Sequence, residues 1–262
     1  MLKKRIVGVV TVKDGWAVQS FSYRRYLPLG RPEWLVENLD RWGADEILLQ
    51  CIDRSTADAG PDFELLDKVA RLGLSTPLIY SGGIRTRDEG IAVIQRGADR
   101  IAVDALLRDG FPVVEALAQA LGAQAVIASL PMACRAGTAE WFDYRAKTYA
   151  PLAPAFAAAL EQGAVSEILL TDCAHEGMPA GFDDALADWA PFKNTPLILF
   201  GGISEAGQMQ SLLQRDKVAA VAVGNFLSYQ EHGIQKIKSS LQACSLRPPA
   251  YHAIEDSSDY DG

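Results

Sequence analysis

Histidine, cysteine and methionine are scarce in this 262-residue chain, at three, four and four residues. Cys51, Cys134, Cys173 and Cys244 lie far apart with no Cys-x-x-Cys pair. That spacing offers neither a zinc site nor a disulfide framework, so reduced thiols in a cytoplasmic protein are expected. Long apolar runs are missing too: none approaches the ~20 residues of a membrane span. The apolar stretch after Met1-Leu2-Lys3-Lys4-Arg5 reaches only Thr11 and Lys13, too short for a secretory signal. Positive charge is in deficit, with 25 Lys and Arg against 33 Asp and Glu and a net charge of −8. This argues against nucleic-acid binding and means that an anionic ligand needs local donors. Neither a metal nor a cofactor is expected.

What is present is globular: 49% hydrophobic and 22% charged residues. Short apolar strands are predicted at 5–12, 46–51, 77–80, 100–103, 125–129, 167–171, 196–200 and 219–223. Segments with helical spacing lie between them, at 32–42, 63–72, 86–96, 111–121, 152–162, 180–190 and 204–213. Near-continuous apolar strands joined by helices indicate a buried parallel sheet. Eight such units predict an α/β fold of the closed (β/α)8 barrel type, a TIM barrel, with a doubly wound open sheet as the alternative.

Two strands run into Gly-Gly turns, Tyr80-Ser81-Gly82-Gly83-Ile84 and Phe200-Gly201-Gly202-Ile203, with Gly82 and Gly201 119 positions apart. Upstream, Gly43-Ala44-Asp45-Glu46-Ile47-Leu48-Leu49 is echoed by Gly163-Ala164-Val165-Ser166-Glu167-Ile168-Leu169-Leu170. Echo and turn together predict two half-barrel repeats, about 1–122 and 123–245, within one domain of 1–245. A tail over 246–262 is expected to fray. The turns fall where barrels bind phosphate, at strand C-terminal ends beside helix starts. Gly82, Gly83, Asp104, Gly177, Gly201, Gly202, Ser204, Gly224 and Asn225 are therefore candidate phosphate-binding residues. Ser204 and Thr86 also suit helix N-caps.

Met1-Leu2-Lys3-Lys4-Arg5-Ile6-Val7, Val12-Lys13-Asp14-Gly15, Gly82-Gly83-Ile84-Arg85-Thr86 and Arg96-Gly97-Ala98-Asp99-Arg100 resemble the cyclase subunit of imidazole glycerol phosphate synthase (HisF). The likeness runs over roughly residues 1–240. It implies a barrel that takes ammonia from a partner glutaminase and adds it to a phosphorylated small molecule. In that family two aspartates, late in the first strand and ending the fifth, carry acid–base chemistry. Here Thr11 and Leu130 are read at those positions, and neither can carry a proton near neutral pH. The family's strand-2 aspartate is Cys51 and its first-loop lysine is Gln19. Asp53, Asp104, His175 and Glu176 are candidate replacements near strand ends, with capping the competing role for Asp53 and Asp172. Buried structural thiols are the default for Cys51 and Cys173.

The resemblance also implies an ammonia gate at the opposite face. Arg5, Glu46, Arg100 and Glu167 all start strands and can converge there, and Asp99 matches a family residue facing the glutaminase. A stabilising salt-bridge cluster is the competing reading. Altered acids with retained gate and glycines resemble HisF-like proteins of surface-polysaccharide pathways, which work with a glutaminase and a sugar amidotransferase on nucleotide-linked sugars. Pro61-Asp62-Phe63-Glu64-Leu65 and Gly224-Asn225-Phe226-Leu227 look like that branch. The competing functions are a histidine-pathway cyclase using displaced acids, and a noncatalytic barrel that activates its glutaminase.

Overall fold

In the computed structural model residues 3–229, 231–241 and 245–248 are described. Twelve strands appear: β1 Arg5–Lys13, β2 Trp16–Phe21, β3 Arg25–Gly30, β4 Glu46–Cys51, β5 Leu78–Ser81, β6 Arg100–Val103, β7 Val126–Arg135, β8 Thr138–Asp143, β9 Thr148–Pro151, β10 Glu167–Asp172, β11 Leu197–Phe200 and β12 Val218–Val223. Eight of them close in the order β1-β4-β5-β6-β7-β10-β11-β12 and back to β1, every pair parallel. These are the eight strands expected from the sequence, and the chain is a (β/α)8 barrel.

Nine helices are described: α1 Pro32–Arg41, α2 Phe63–Ala70, α3 Arg87–Gln95, α4 Ala105–Asp109, α5 Phe111–Leu121, α6 Pro154–Leu160, α7 Asp184–Trp189, α8 Ala206–Leu213 and α9 Gly233–Ser240. Thr86 caps α3 in a reciprocal box with Glu89. Ser204 does not cap α8; the cap position is Glu205, and the Ser204 hydroxyl accepts the Ala180 N–H instead. No helix among the described residues is long and apolar enough to cross a membrane.

Strand alternation sorts the core into two shells. Outward residues such as Ile6, Val10, Ile47, Tyr80, Ile101, Leu130, Leu170 and Val221 pack under the helices. Inward residues Val7, Val9, Leu48, Ile79, Ala102, Ile127, Leu169, Ile198, Phe200, Ala220 and Ala222 fill the barrel. Each large apolar side chain so buried contributes about 1.5–3 kcal/mol before entropy is counted.

Two elements escape periodicity. The antiparallel hairpins β2–β3 and β8–β9 extend β1 and β7 past the barrel rim, at related places in the two halves. The Gly-Gly turns repeat in detail: Gly82 (φ +137°) abuts the carbonyl of Cys51, and Gly201 (φ +99°) abuts that of Asp172. A side chain would collide with backbone at both, so glycine is required for the turn to cross the neighbouring strand end. Cys244 and residues 249–262, most of the expected tail, lie outside the described residues. Just before them, the Lys4 N–H donates to the Ser245 carbonyl at 2.8 Å, and Leu246 bridges Lys4.

Candidate functional site

The lower mouth of the barrel is closed by four charged side chains that begin β1, β4, β6 and β10. Arg5 donates to Glu46 at 2.7 Å and to Glu167; Arg100 meets Glu46 at 3.0 Å and Glu167 at 2.7 Å. Charges alternate around the ring, and each carboxylate faces two guanidinium groups. Arg100 also donates to the Ser166 hydroxyl at 2.8 Å and the Gln124 carbonyl at 3.0 Å. The four side chains are only 7–13% exposed, so charge pairing offsets a sizeable desolvation cost. Above the ring comes the apolar interior. Asp99 sits exposed near this face, where its carboxylate accepts the Leu78 N–H at 2.8 Å and fixes the start of β5.

At the opposite end the barrel opens into a cleft of about 820 Å³. Its floor is neutral and polar, with Gln50, Ser81, Ser129, Pro131 and Thr171. The Thr171 hydroxyl is buried there without a hydrogen-bond partner among the described residues. Its walls carry Tyr23, Tyr26, Phe142, Tyr144 and Tyr149, with Lys13, Arg24 and Lys147 as cations and Asp53 and Asp104 as acids. Phe142 and Tyr149 pair across β8 and β9 with ring centroids 4.7 Å apart.

Thr11 points into the barrel, buried opposite Gln50 in the β1–β4 register. The reading of Leu130 as the second catalytic position needs correction. Inward residues on β7 are Ile127, Ser129 and Pro131, whereas Leu130 is fully buried in the outer shell under the helices. One residue of register moves a side chain to the other face. Pro131, paired with Thr171 of β10, therefore occupies the pocket-facing position. It titrates no better than leucine, so neither Thr11 nor the end of β7 supplies an acid or base.

The candidate replacements are dispersed. Asp53 lines the cleft and accepts the Asp14 N–H at 2.9 Å, a loop-fixing bond. Asp104 also lines it, and burial raises its carboxyl pKa. Asp172 points away from the barrel interior, accepts the N–H groups of Ala174, His175 and Asp183, and holds His175 Nδ1 at 2.7 Å. The half-exposed His175 is not among the residues lining the cleft. Burial pushes the Cys51 thiol to about 12 and the Cys173 thiol to about 11, so both persist as thiols at neutral pH. Among the described residues no cluster of His, Cys, Asp or Glu is arranged to hold a metal ion.

Glu176 and Asn225 are committed to the β2–β3 hairpin. Glu176 Oε2 accepts the Ser20 hydroxyl at 2.8 Å and the Tyr23 N–H at 3.1 Å, and its backbone carbonyl accepts the Ser22 N–H at 2.8 Å. Asn225 pairs with the Ser20 backbone through both ends of its amide. Ser22 and Tyr23 both sit at φ +52°, a strained conformation that the surrounding bonds must hold. Tyr23 is thereby turned onto the inner core, with its hydroxyl 3.3 Å from Gln50 Oε1. The role of Tyr23 is not legible in the sequence, because a positive φ at a tyrosine has no sequence signature.

The two Gly-Gly turns sit in different surroundings. Gly177, Gly202, Ser204, Gly224 and Asn225 surround a pocket of about 80 Å³, separate from the main cleft. Gly201 is buried just before it, supporting the turn against Asp172. Gly82 lines the main cleft instead. Gly83 is covered by the loop after β4, with its N–H donating to Ser55 Oγ at 3.0 Å.

The model of the family described as "Histidine biosynthesis protein" matches residues 5–233. Among curated proteins, the "Putative imidazole glycerol phosphate synthase subunit hisF2" of Vibrio vulnificus is 25% identical, covering 94% of this chain and 91% of that one. Its namesake in Pseudomonas aeruginosa is 27% identical over 89% and 93%. The imidazole glycerol phosphate synthase subunit HisF of Acidobacterium capsulatum is 29% identical over 94% and 98%. With the barrel, the repeated turns and these matches in place, the chain belongs to the histidine biosynthesis protein family, as a divergent HisF-like member.

Proposed function

We propose that this chain is the barrel subunit of a glutamine-dependent complex that passes ammonia to a phosphorylated or nucleotide-linked sugar, as in surface-polysaccharide amidation. A glutaminase docks on the face that carries Asp99 and the charged ring. Ammonia enters when the Arg5–Glu46–Arg100–Glu167 ring parts, crosses the apolar interior and reaches the cleft. The observation that carries this reading is the closed ring, which lies directly beneath that interior and cleft.

The residues above it favour transfer over cyclisation within this chain. With Thr11 and Pro131 in place of acids, the floor offers hydroxyls and an amide that orient a polyhydroxylated ligand but move no proton near neutral pH. A sugar amidotransferase that meets the barrel at the cleft would then supply the acid–base groups. The three cations Lys13, Arg24 and Lys147 around the cleft attract an approaching anionic ligand that a net charge of −8 would otherwise repel.

A second reading, a histidine-pathway cyclase, is supported by the names of the relatives and by the buried Asp104 in the cleft. Single-turnover reaction with the cyclase bisphosphate substrate and an ammonium salt separates the two. The transfer reading expects no cyclised product, together with co-purification of a glutaminase and glutamine-dependent amidation once the third subunit is added. Cyclisation at an ordinary enzymatic rate would overturn it.

A further inference from the structure

The half-barrel repeat allows one cradle to be compared with the other inside the same molecule. In the second half, β12 ends at Val223 and is followed by Gly224-Asn225; in the first, β6 ends at Val103 and is followed by Asp104-Ala105. A carboxylate thus stands at the first strand end where the second has only backbone. Its surroundings form a continuous chain of hydrogen bonds. The Gly83 N–H donates to Ser55 Oγ at 3.0 Å, the Ser55 hydroxyl donates to Asp104 Oδ1 at 3.3 Å, and the Ala105 N–H donates to the same oxygen at 2.5 Å. These are the donors an incoming phosphate would need at a strand-to-helix turn, and the side chain of Asp104 already takes them, directly or through Ser55.

The cover over this turn is tied down. Arg54 binds the carbonyl of Gly60 at 2.8 Å, and Arg85 binds that of Ser55 at 2.8 Å while pairing with Asp58. Gly83 packs so closely on Gly60 that a Cβ would collide with its carbonyl. The second turn is covered as closely, by the 175–182 loop on Gly202, but differs in its hydroxyl and in the space left beside it. Ser204 Oγ accepts the Ala180 N–H, which leaves its own hydrogen to donate, and an 80 Å³ pocket remains. Glu176, the one carboxylate among the described residues on its border, has Oε2 engaged by Ser20 and Tyr23.

We infer that Asp104 is a built-in anion filling the first phosphate cradle, so that the ligand of this barrel is held by one phosphate, at the second-half pocket. The inference rests on the reading that the ligand is phosphorylated, and it narrows the ligand class to molecules with one anionic end. The other end is neutral and rich in hydroxyls. It lies over Ser81, Ser129 and Thr171, whose buried, unpartnered hydroxyl faces the cleft. Asp104 acts as a specificity determinant by repelling a second phosphate.

Crystals of the full chain soaked in inorganic phosphate test this directly. One anion bound by Gly202, Ser204 and Gly224 is expected. An anion within hydrogen-bond reach of Gly83 or Ser55 would overturn the inference while leaving the phosphorylated-ligand reading intact; an empty second pocket would overturn both. Asp104→Asn, nearly isosteric, is expected to admit a second anion at the first turn, and its failure to do so would remove Asp104 as the cause. In solution, the native chain should bind fructose 1,6-bisphosphate no tighter than fructose 6-phosphate, whereas Asp104→Asn should favour the bisphosphate by about tenfold. A tenfold bisphosphate preference in the native chain would refute the proposal. Ser204→Asp provides an independent check: by placing a carboxylate in the second pocket it should abolish the single phosphate site, and retained binding there would refute the assignment.

Discussion

The Glu176 carboxylate accepts the Ser20 hydroxyl at 2.8 Å across 156 positions of chain, latching the first hairpin onto the second half of the barrel. Burial outweighs these bonds and raises the Glu176 pKa above the ordinary carboxylate value. The hairpin is therefore held by a group that would itself be more stable in water.

That imbalance fixes a sign for pH dependence. Between the unfolded value of about 4.3 and the raised native one, the folded chain holds the proton more tightly, so this group's contribution to stability falls as pH rises. Glu176→Gln keeps an acceptor for Ser20 and Tyr23 and removes the charge. Thermal melts should show the variant gaining on the native chain near neutral pH, with the gain vanishing below about pH 4. A loss at neutral pH that disappears in acid would contradict the sign.

Thiol chemistry gives a second test. With Cys51 pushed to about 12 and Cys173 to about 11, both should alkylate far more slowly than an unfolded thiol of about 8.5. Mass spectrometry after brief iodoacetamide treatment near pH 8 should find both unmodified in the native chain and labelled in denaturant. Rapid native labelling of Cys173 would contradict its burial as a structural thiol.

The barrel was legible because parallel strands buried on both faces read as apolar runs, and 46–51 or 167–171 can hardly be anything else. The ring was legible because its residues begin strands, and strand starts meet at one end of a barrel. The hairpins were not: β3 holds Pro28, and β9 is four residues long and largely exposed. Nor was the filled cradle visible, since Ser55, Gly83 and Asp104 come together only through a loop that folds back over the turn. The Leu130 reading failed by one position, because a motif match carries no information about which face a side chain takes.

That single position can be tested by stability alone. Leu130→Asp would bury a lone carboxylate among the helices and should cost about 3 kcal/mol or more, enough to unfold a marginal domain. Pro131→Asp faces the cleft, where water and Thr171 are within reach, and should leave a folded chain within about 1 kcal/mol of the native stability. Denaturant titration of both variants decides the register; equal damage from the two would mean that β7 is turned otherwise.

The ring combines stability and transport in one experiment. Arg100 contacts Glu46, Glu167, Ser166 and the Gln124 carbonyl, so Arg100→Met leaves two mostly buried carboxylates facing Arg5 alone. Breaking such a pair costs about 3–5 kcal/mol when fully buried; with slight exposure, about 2–4 kcal/mol is expected. Arg100→Lys keeps the charge but cannot fork between both carboxylates, and about 1 kcal/mol should be lost. If the ring also gates ammonia, the Lys variant should retain amidation supported by ammonium salts while its glutamine-dependent rate falls. Ammonium added from solution reaches the cleft without crossing the ring, whereas ammonia from the glutaminase must pass it. A parallel fall in both rates would assign the ring to stability rather than passage.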